Sequence, residues 1–155
     1  MLNPELKDIP AKQVVTQRVQ LASGDISTEL ANIYGTLMGH MGLHGGAVLE
    51  GAPFALWHSY DPTPEGLSDM EAGFHISGSV PASEGILSYE LPARRAYKVE
   101  YRGPYVEMYR TWDAFRAWIQ EQGHAVSGAP WEEYITDPGL EPDPQKWLTF
   151  LYMPV

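Results

Sequence analysis

Two adjacent carboxylates, Glu132 and Glu133, stand between a Trp and a Tyr in the stretch WEEYITDPGL, residues 131–140. The aromatic and β-branched character of WEEYIT predicts a strand, and a strand sends successive side chains to opposite faces. Glu132 then shares a face with Tyr134, and Glu133 takes the other. A carboxylate turned inward among rings is costly unless a group of opposite charge visits it. A carboxyl group in apolar aromatic surroundings also titrates higher than usual, because burial disfavours its charged form. Such a group attracts a cation or serves as a general base on water. The expectation is that Glu132 serves a cleft while Glu133 keeps the outer face wet.

The rings around it are abundant: five Trp and nine Tyr. Most belong in the core, where large rings contribute most of the burial energy. Trp112 and Tyr101 fit either the core or a cleft wall, and Trp131 flanks the opening. Rings stacked beside a carboxylate suit a delocalised cation through cation–π attraction. His58, next to Trp57, is matched to Tyr134 by an internal repeat described below. It either faces the cleft from the other half or is a hydrogen-bonded sheet histidine. His40 and His44 lie four apart, the edge of a two-ligand metal site, but no third ligand has suitable spacing. A histidine near a helix C-terminus is accounted for by the helix dipole. No metal and no cofactor are expected, and nothing resembles a nucleophile elbow or a Ser-His-Asp arrangement.

The chain has 155 residues and no Cys, so disulfides and zinc–thiolate sites are excluded. One domain, residues 1–155, is the expectation, and the chain is long enough to bury a core without staples. Ten basic against twenty acidic residues leave 10 − 20 = −10. That balance repels phosphate backbones and favours cationic partners. The residues before the first expected strand are too few for a helix-turn-helix, so no nucleic-acid partner is expected. No apolar run is long enough for a membrane span, and MLNPELKDIP lacks the pattern of a signal peptide. A soluble, cytoplasmic protein is expected.

The elements that must hold these residues follow from periodicity. KQVVTQRVQLA, from Lys12, predicts a strand. Ser27 or Thr28 is the expected cap of a helix whose apolar residues include Leu30, Ile33, Tyr34, Leu37, Met38 and Met41. PFALWHSY (Pro53 to Tyr60) and DMEAGFHIS (Asp69 to Ser77) predict strands, the second with Met70, Ala72, Phe74 and Ile76 on one face. The order then repeats. RAYKVEY (from Arg95) is a strand, and GPY leads into a helix with the stripe Tyr105, Met108, Tyr109, Trp112, Phe115, Trp118 and Ile119. WEEYIT and KWLTFLYM are strands. Ser23-Gly24-Asp25 is matched to Arg102-Gly103-Pro104, Asp61-Pro62 to Asp137-Pro138, and Phe74 to Phe150. The pattern is two β-α-β-β units, about 12–78 and 93–155, with residues 81–93 as linker.

The duplication, the GPY before an aromatic helix, and the ending WEEYITDP…WLTFLYMPV resemble the GyrI-like effector-binding domain family. The ending carries Glu132, Tyr134, Asp137, Pro138 and the final Pro154-Val155. The resemblance covers nearly the whole chain from about Lys12. It implies an α+β fold, an antiparallel sheet with two helices, and a cleft for bulky, cationic, aromatic or lipophilic compounds. It places the carboxylate matching Glu132 at the bottom of that cleft. The leading reading is a stand-alone binding protein for bulky amphipathic, aromatic or cationic small molecules. The ligand residues are then Glu132, Tyr134, Trp131, Trp112, Tyr101, His58 and Trp57. A second reading is a hydrolase of strained, cyclopropane-type genotoxic electrophiles with Glu132 catalytic. A third is a gyrase-inhibitor-like module whose partner is another protein.

Overall fold

The computed structural model describes residues 2–155 and has an α+β fold with nine strands and two α-helices among them. The strands are β1 (Glu5–Ile9), β2 (Lys12–Leu21), β3 (Ala47–Leu49), β4 (Phe54–Ser59), β5 (Ser68–Gly78), β6 (Leu87–Leu91), β7 (Arg94–Arg102), β8 (Trp131–Tyr134) and β9 (Leu148–Pro154). The helices are α1 (Ile26–His44) and α2 (Met108–Glu121). The chain divides into a continuous unit, Pro10–Ala93, and a discontinuous one in which the segment ending at Ile9 joins Arg94–Val155.

In the continuous unit the strand order is β4-β5-β2-β6, all antiparallel, with β3 also paired to β5. β5 is central, and it is buried on both faces from Met70 to Ile76. Its Phe74 face meets α1, where the Tyr34 ring lies 5.2 Å from Phe74 and the Tyr34 hydroxyl donates to Phe54 O at 2.9 Å. Ile33, Leu37 and Met41 are the buried apolar residues of α1, while Met38 of the expected stripe is 48% exposed. Gly73 permits the tight β2–β5 approach: a Cβ there would sit 2.0 Å from Val15 O.

In the discontinuous unit the order is β1-β7-β9-β8, again antiparallel. α2 packs onto the face of β7 and β9 that carries Val99, Leu151 and Met153, through Met108, Trp112, Phe115 and Ile119. The spacing 108, 112, 115, 119 is one helical stripe. Trp118 and Tyr105 pack at its margin, whereas Tyr109 of the expected stripe is 52% exposed.

Several expectations are corrected. The lead before Lys12 contains β1, and the linker contains β6; both pair at strand edges and so carry too little alternation to stand out. The N-cap position of α1 is Asp25, not Ser27 or Thr28, and among the described residues its side chain makes no capping hydrogen bond. A 3₁₀ turn, Ser23–Asp25, precedes α1, and the matching turn before α2 is Tyr105–Glu107. The true offset there is 105 − 23 = 82 residues, so Ser23-Gly24-Asp25 does not match Arg102-Gly103-Pro104. Phe74 does not match Phe150 either. Phe150 lies directly opposite Glu133 and Glu100, with the Lys98 ammonium 3.6 Å from its ring centroid, on the strand face away from α2. The two Asp-Pro turns do agree. Asp61 Oδ1 accepts from Thr63 N at 2.9 Å, and Asp137 Oδ1 from Gly139 N at 2.8 Å, so each Asp closes a turn onto its own backbone.

Candidate functional site

β8 is short, and its ladder to β9 sets the geometry. Glu132 lies opposite Leu151 and Tyr134 opposite Thr149, so Glu132, Tyr134, Thr149 and Leu151 share the face on which α2 packs. Trp131 and Glu133 face the other way, opposite Tyr152 and Phe150. Glu132 is 7% exposed. Its Oε2 accepts from Trp112 Nε1 at 2.7 Å and its Oε1 from the Tyr134 hydroxyl at 2.7 Å. These donors are an indole N–H and a phenol O–H. The carboxylate is thus fixed between a helix and its own strand, and the i, i+2 step to Tyr134 is the strand period.

Tyr105 completes the ring cluster. Its ring stands edge-on to Tyr134 at 5.7 Å and lies 5.0 Å from Trp147. Burial, and then the negative charges of Glu132 and Asp137, push the Tyr105 hydroxyl up to about 12. The GPY segment holds Tyr105 there. Gly103 has φ +145°, and a Cβ on it would lie 2.9 Å from the Tyr101 hydroxyl. Its N–H donates to Trp147 O at 2.9 Å, and the Tyr101 hydroxyl donates to Pro104 O at 2.6 Å. Tyr101 therefore clamps the turn that delivers Tyr105, and burial raises its own pKa.

Thr149 was not expected at this site. It is fully buried between Tyr134 and Tyr101, its opposite residues on β8 and β7, and its hydroxyl has no hydrogen-bond partner among the described residues. Parity marks it, since it falls on the Leu151 face of WLTFLYM, but only the register shows that it borders Glu132.

The remaining expected site residues are Trp131, Trp57 and His58. Trp131 stacks on Tyr152 with ring centroids 4.6 Å apart, carries the Arg94 guanidinium 3.9 Å from its ring centroid, and donates to Glu133 Oε1 at 3.3 Å. It is 1% exposed and belongs to the face opposite Glu132. Trp57 and His58 are in β4 of the continuous unit. Trp57 is buried and edge-on to Tyr60 at 5.4 Å. His58 Nε2 lies 2.8 Å from Glu71 Oε1. His40 Nε2 lies 2.7 Å from Pro81 O. Among the described residues no helix is long and apolar enough to cross a membrane.

The whole chain is similar to solved structures. It superposes on the crystal structure of the EcmrR C-terminal domain with a TM-score of 0.89 at 22% identity, covering 99% of this chain and 97% of that one. It matches the EcmrR chain of a cryo-EM EcmrR–DNA complex equally well, but spans only 57% of that chain's length. SAV2435 bound to tetraphenylphosphonium gives a TM-score of 0.65 at 14% identity, covering 99% of this chain and 93% of that one. A hydrolase from Listeria innocua gives 0.62 at 14% identity, covering 98% and 91%. These likenesses establish the fold. A search of curated proteins found no match. The model of the GyrI-like small molecule binding domain matches residues 2–155, and the chain belongs to that family.

Proposed function

We propose that the protein binds bulky amphipathic, aromatic or cationic small molecules, and that Glu132 is the carboxylate that answers the ligand's charge. The observation that carries this is a buried carboxylate that accepts from Trp112 and Tyr134, with the rings of Tyr105 and Trp147 beside them. A cation entering such surroundings meets both a charge and aromatic faces, and loses little to competing water. The family is one of small-molecule binders, and the SAV2435 structure holds a lipophilic cation, which supports the same class of ligand here. Tyr101 and Thr149 shape the site from β7 and β9.

The test is titration with tetraphenylphosphonium, read by Trp fluorescence. Glu132→Gln keeps the size and removes the charge, so affinity falls at least tenfold, given that truncating a partly buried charge pair costs on the order of 2–5 kcal/mol. Glu133→Gln, on the opposite face, leaves binding within about twofold. Equal affinities for wild type and Glu132→Gln would sink the reading. A second reading is favoured by the Tyr134 hydroxyl 2.7 Å from Glu132 Oε1, a paired acid and base of the kind that adds water to a strained ring. The Listeria innocua structure described as a hydrolase points the same way. Multiple turnovers of a cyclopropane-bearing electrophile, abolished in Glu132→Gln, would choose it; an intact compound rejects it.

A further inference from the structure

The continuous unit holds a second buried carboxylate. Glu71 is 3% exposed and lies on the β5 face away from Phe74 and α1, opposite Arg18 of β2 and Leu56 of β4. Its Oε2 accepts from Thr16 Oγ1 at 2.8 Å and from the Tyr89 hydroxyl of β6, and its Oε1 faces His58 Nε2 at 2.8 Å. The backbone of β4 is shaped for that last contact. Trp57 lies opposite Met70 and Ser59 opposite Asp69, so His58 is the extra residue of a β-bulge. A bulge re-aims one side chain, and this one turns an imidazole onto a buried carboxylate. The burial is graded along the pair: the His58 side chain is 27% exposed and that of Glu71 3%. Asp69 on β5, paired with Arg18 of β2 at 2.7 Å, also acts on the ring, and Tyr89 on β6 shares the Glu71 carboxylate.

Chemistry follows from the bonding of the ring. Glu71 accepts at Nε2, which assigns that nitrogen the proton and leaves Nδ1 as the basic one. A carboxylate behind an imidazole fixes its orientation and stabilises the imidazolium that forms when Nδ1 takes a proton. We propose that His58, positioned by Glu71, is a general base, and that the continuous unit hydrolyses activated carboxylic esters at this ring. In the step, water oxygen bonds to the acyl carbon while a water proton passes to Nδ1. The bond from that carbon to the alcohol oxygen then breaks, and the proton leaves with the departing alkoxide or, for a nitrophenoxide, passes to solvent. Ester and water become acid and alcohol. Thr16 and Tyr89 hold the carboxylate in place and do not touch the substrate.

The experiment uses the whole chain and p-nitrophenyl acetate across pH 5 to 9. Wild type shows a rate that rises with the ionisation of a single group. His58→Gln lowers kcat/KM at least tenfold and removes that ionisation, while His44→Gln, which deletes an exposed histidine of α1, changes neither. Glu71→Gln lowers kcat at least tenfold with KM unchanged, because the ring is no longer held in its orientation. A purely structural His58–Glu71 pair would leave rate and profile as in wild type, and that result overturns the proposal. Should Glu71→Gln fail to fold, carbethoxylation by diethyl pyrocarbonate decides: His58 reacts faster than the exposed His44, and slower reaction overturns it. Ester hydrolysis through His58 and cation binding through Glu132 are read separately, so either can fail alone.

Discussion

At the scale of single residues, two groups near Glu132 make distinguishable contributions. Thr149 buries a hydroxyl that has no hydrogen-bond partner among the described residues. Leaving a polar group so costs on the order of 1–3 kcal/mol, and Val has nearly the same shape. Thr149→Val is therefore expected to raise stability by about 1 kcal/mol in urea unfolding. A fall in stability would show that the hydroxyl is satisfied in solution. If affinity for tetraphenylphosphonium drops in the same variant, the hydroxyl works for the ligand. Tyr105 contributes a pH dependence whose sign is fixed by burial. Its phenol is raised from 10.0 to about 12 in the folded chain. Below pH 10 both states are protonated and its contribution is fully present. Between about 10 and 12 the unfolded chain sheds the proton first, so stability falls as pH rises. After allowance for screening at a half-buried ring, the loss is on the order of 1–2 kcal/mol. Tyr105→Phe is expected to flatten that decline, measured as denaturation midpoints from pH 9 to 12. An unchanged slope would mean that Tyr105 is solvated.

At the scale of elements, α2 is where fold and site are coupled. Trp112 is 7% exposed, stacks on Phe115 at 5.9 Å and donates to Glu132. Trp112→Ala is expected to cost on the order of 3–5 kcal/mol through the cavity it leaves. Trp112→Phe keeps a ring and removes only the N–H, so on the order of 1–3 kcal/mol is expected, with ligand affinity altered more than the melting temperature. Equal losses in the two variants would show that the Glu132 contact carries no weight of its own. This helix was legible in the sequence because its stripe faces one partner, the β7–β9 sheet. The face shared by Glu132 and Tyr134 was legible for a similar reason, since the strand period alone sets it. β5 was half legible. Alternation grouped Met70, Ala72, Phe74 and Ile76 on one face and said nothing of the other, yet a central strand is covered on both sides, and Glu71 and His75 are buried as well. Gly73 on that second face was the available signal, since a strand interior seldom takes Gly without a close backbone approach. The bulge at His58 could not be read at all, because it depends on which residue of β5 each residue of β4 meets.

At the scale of the whole molecule, charge is the governing quantity. A net charge of −10 over 155 residues opposes a polyanion at every approach distance within the screening length. EcmrR occurs in a complex with DNA, and this chain matches 57% of it. We expect residues 1–155 alone to bind no DNA sequence selectively. A salt-sensitive gel shift with one particular sequence at physiological ionic strength would overturn that.

The strand β1 carries a consequence for synthesis on the ribosome. Its partner residues run from Arg94 to Lys98, so Glu5 must wait for Lys98, which is made 93 residues later. Pro10–Ala93, by contrast, closes its own ladder without either chain end. Emerging chain therefore completes the continuous unit while β1 is still an unpaired strand, with Leu6 among charged residues that discourage stray edge-to-edge pairing. Nascent chains arrested with residues up to about 93 outside the tunnel are expected to resist protease across β2 to β6 and to be cut within residues 2–9. Protection of that leading segment arrives only after β7 and β9 have emerged, so strands made late secure one made early.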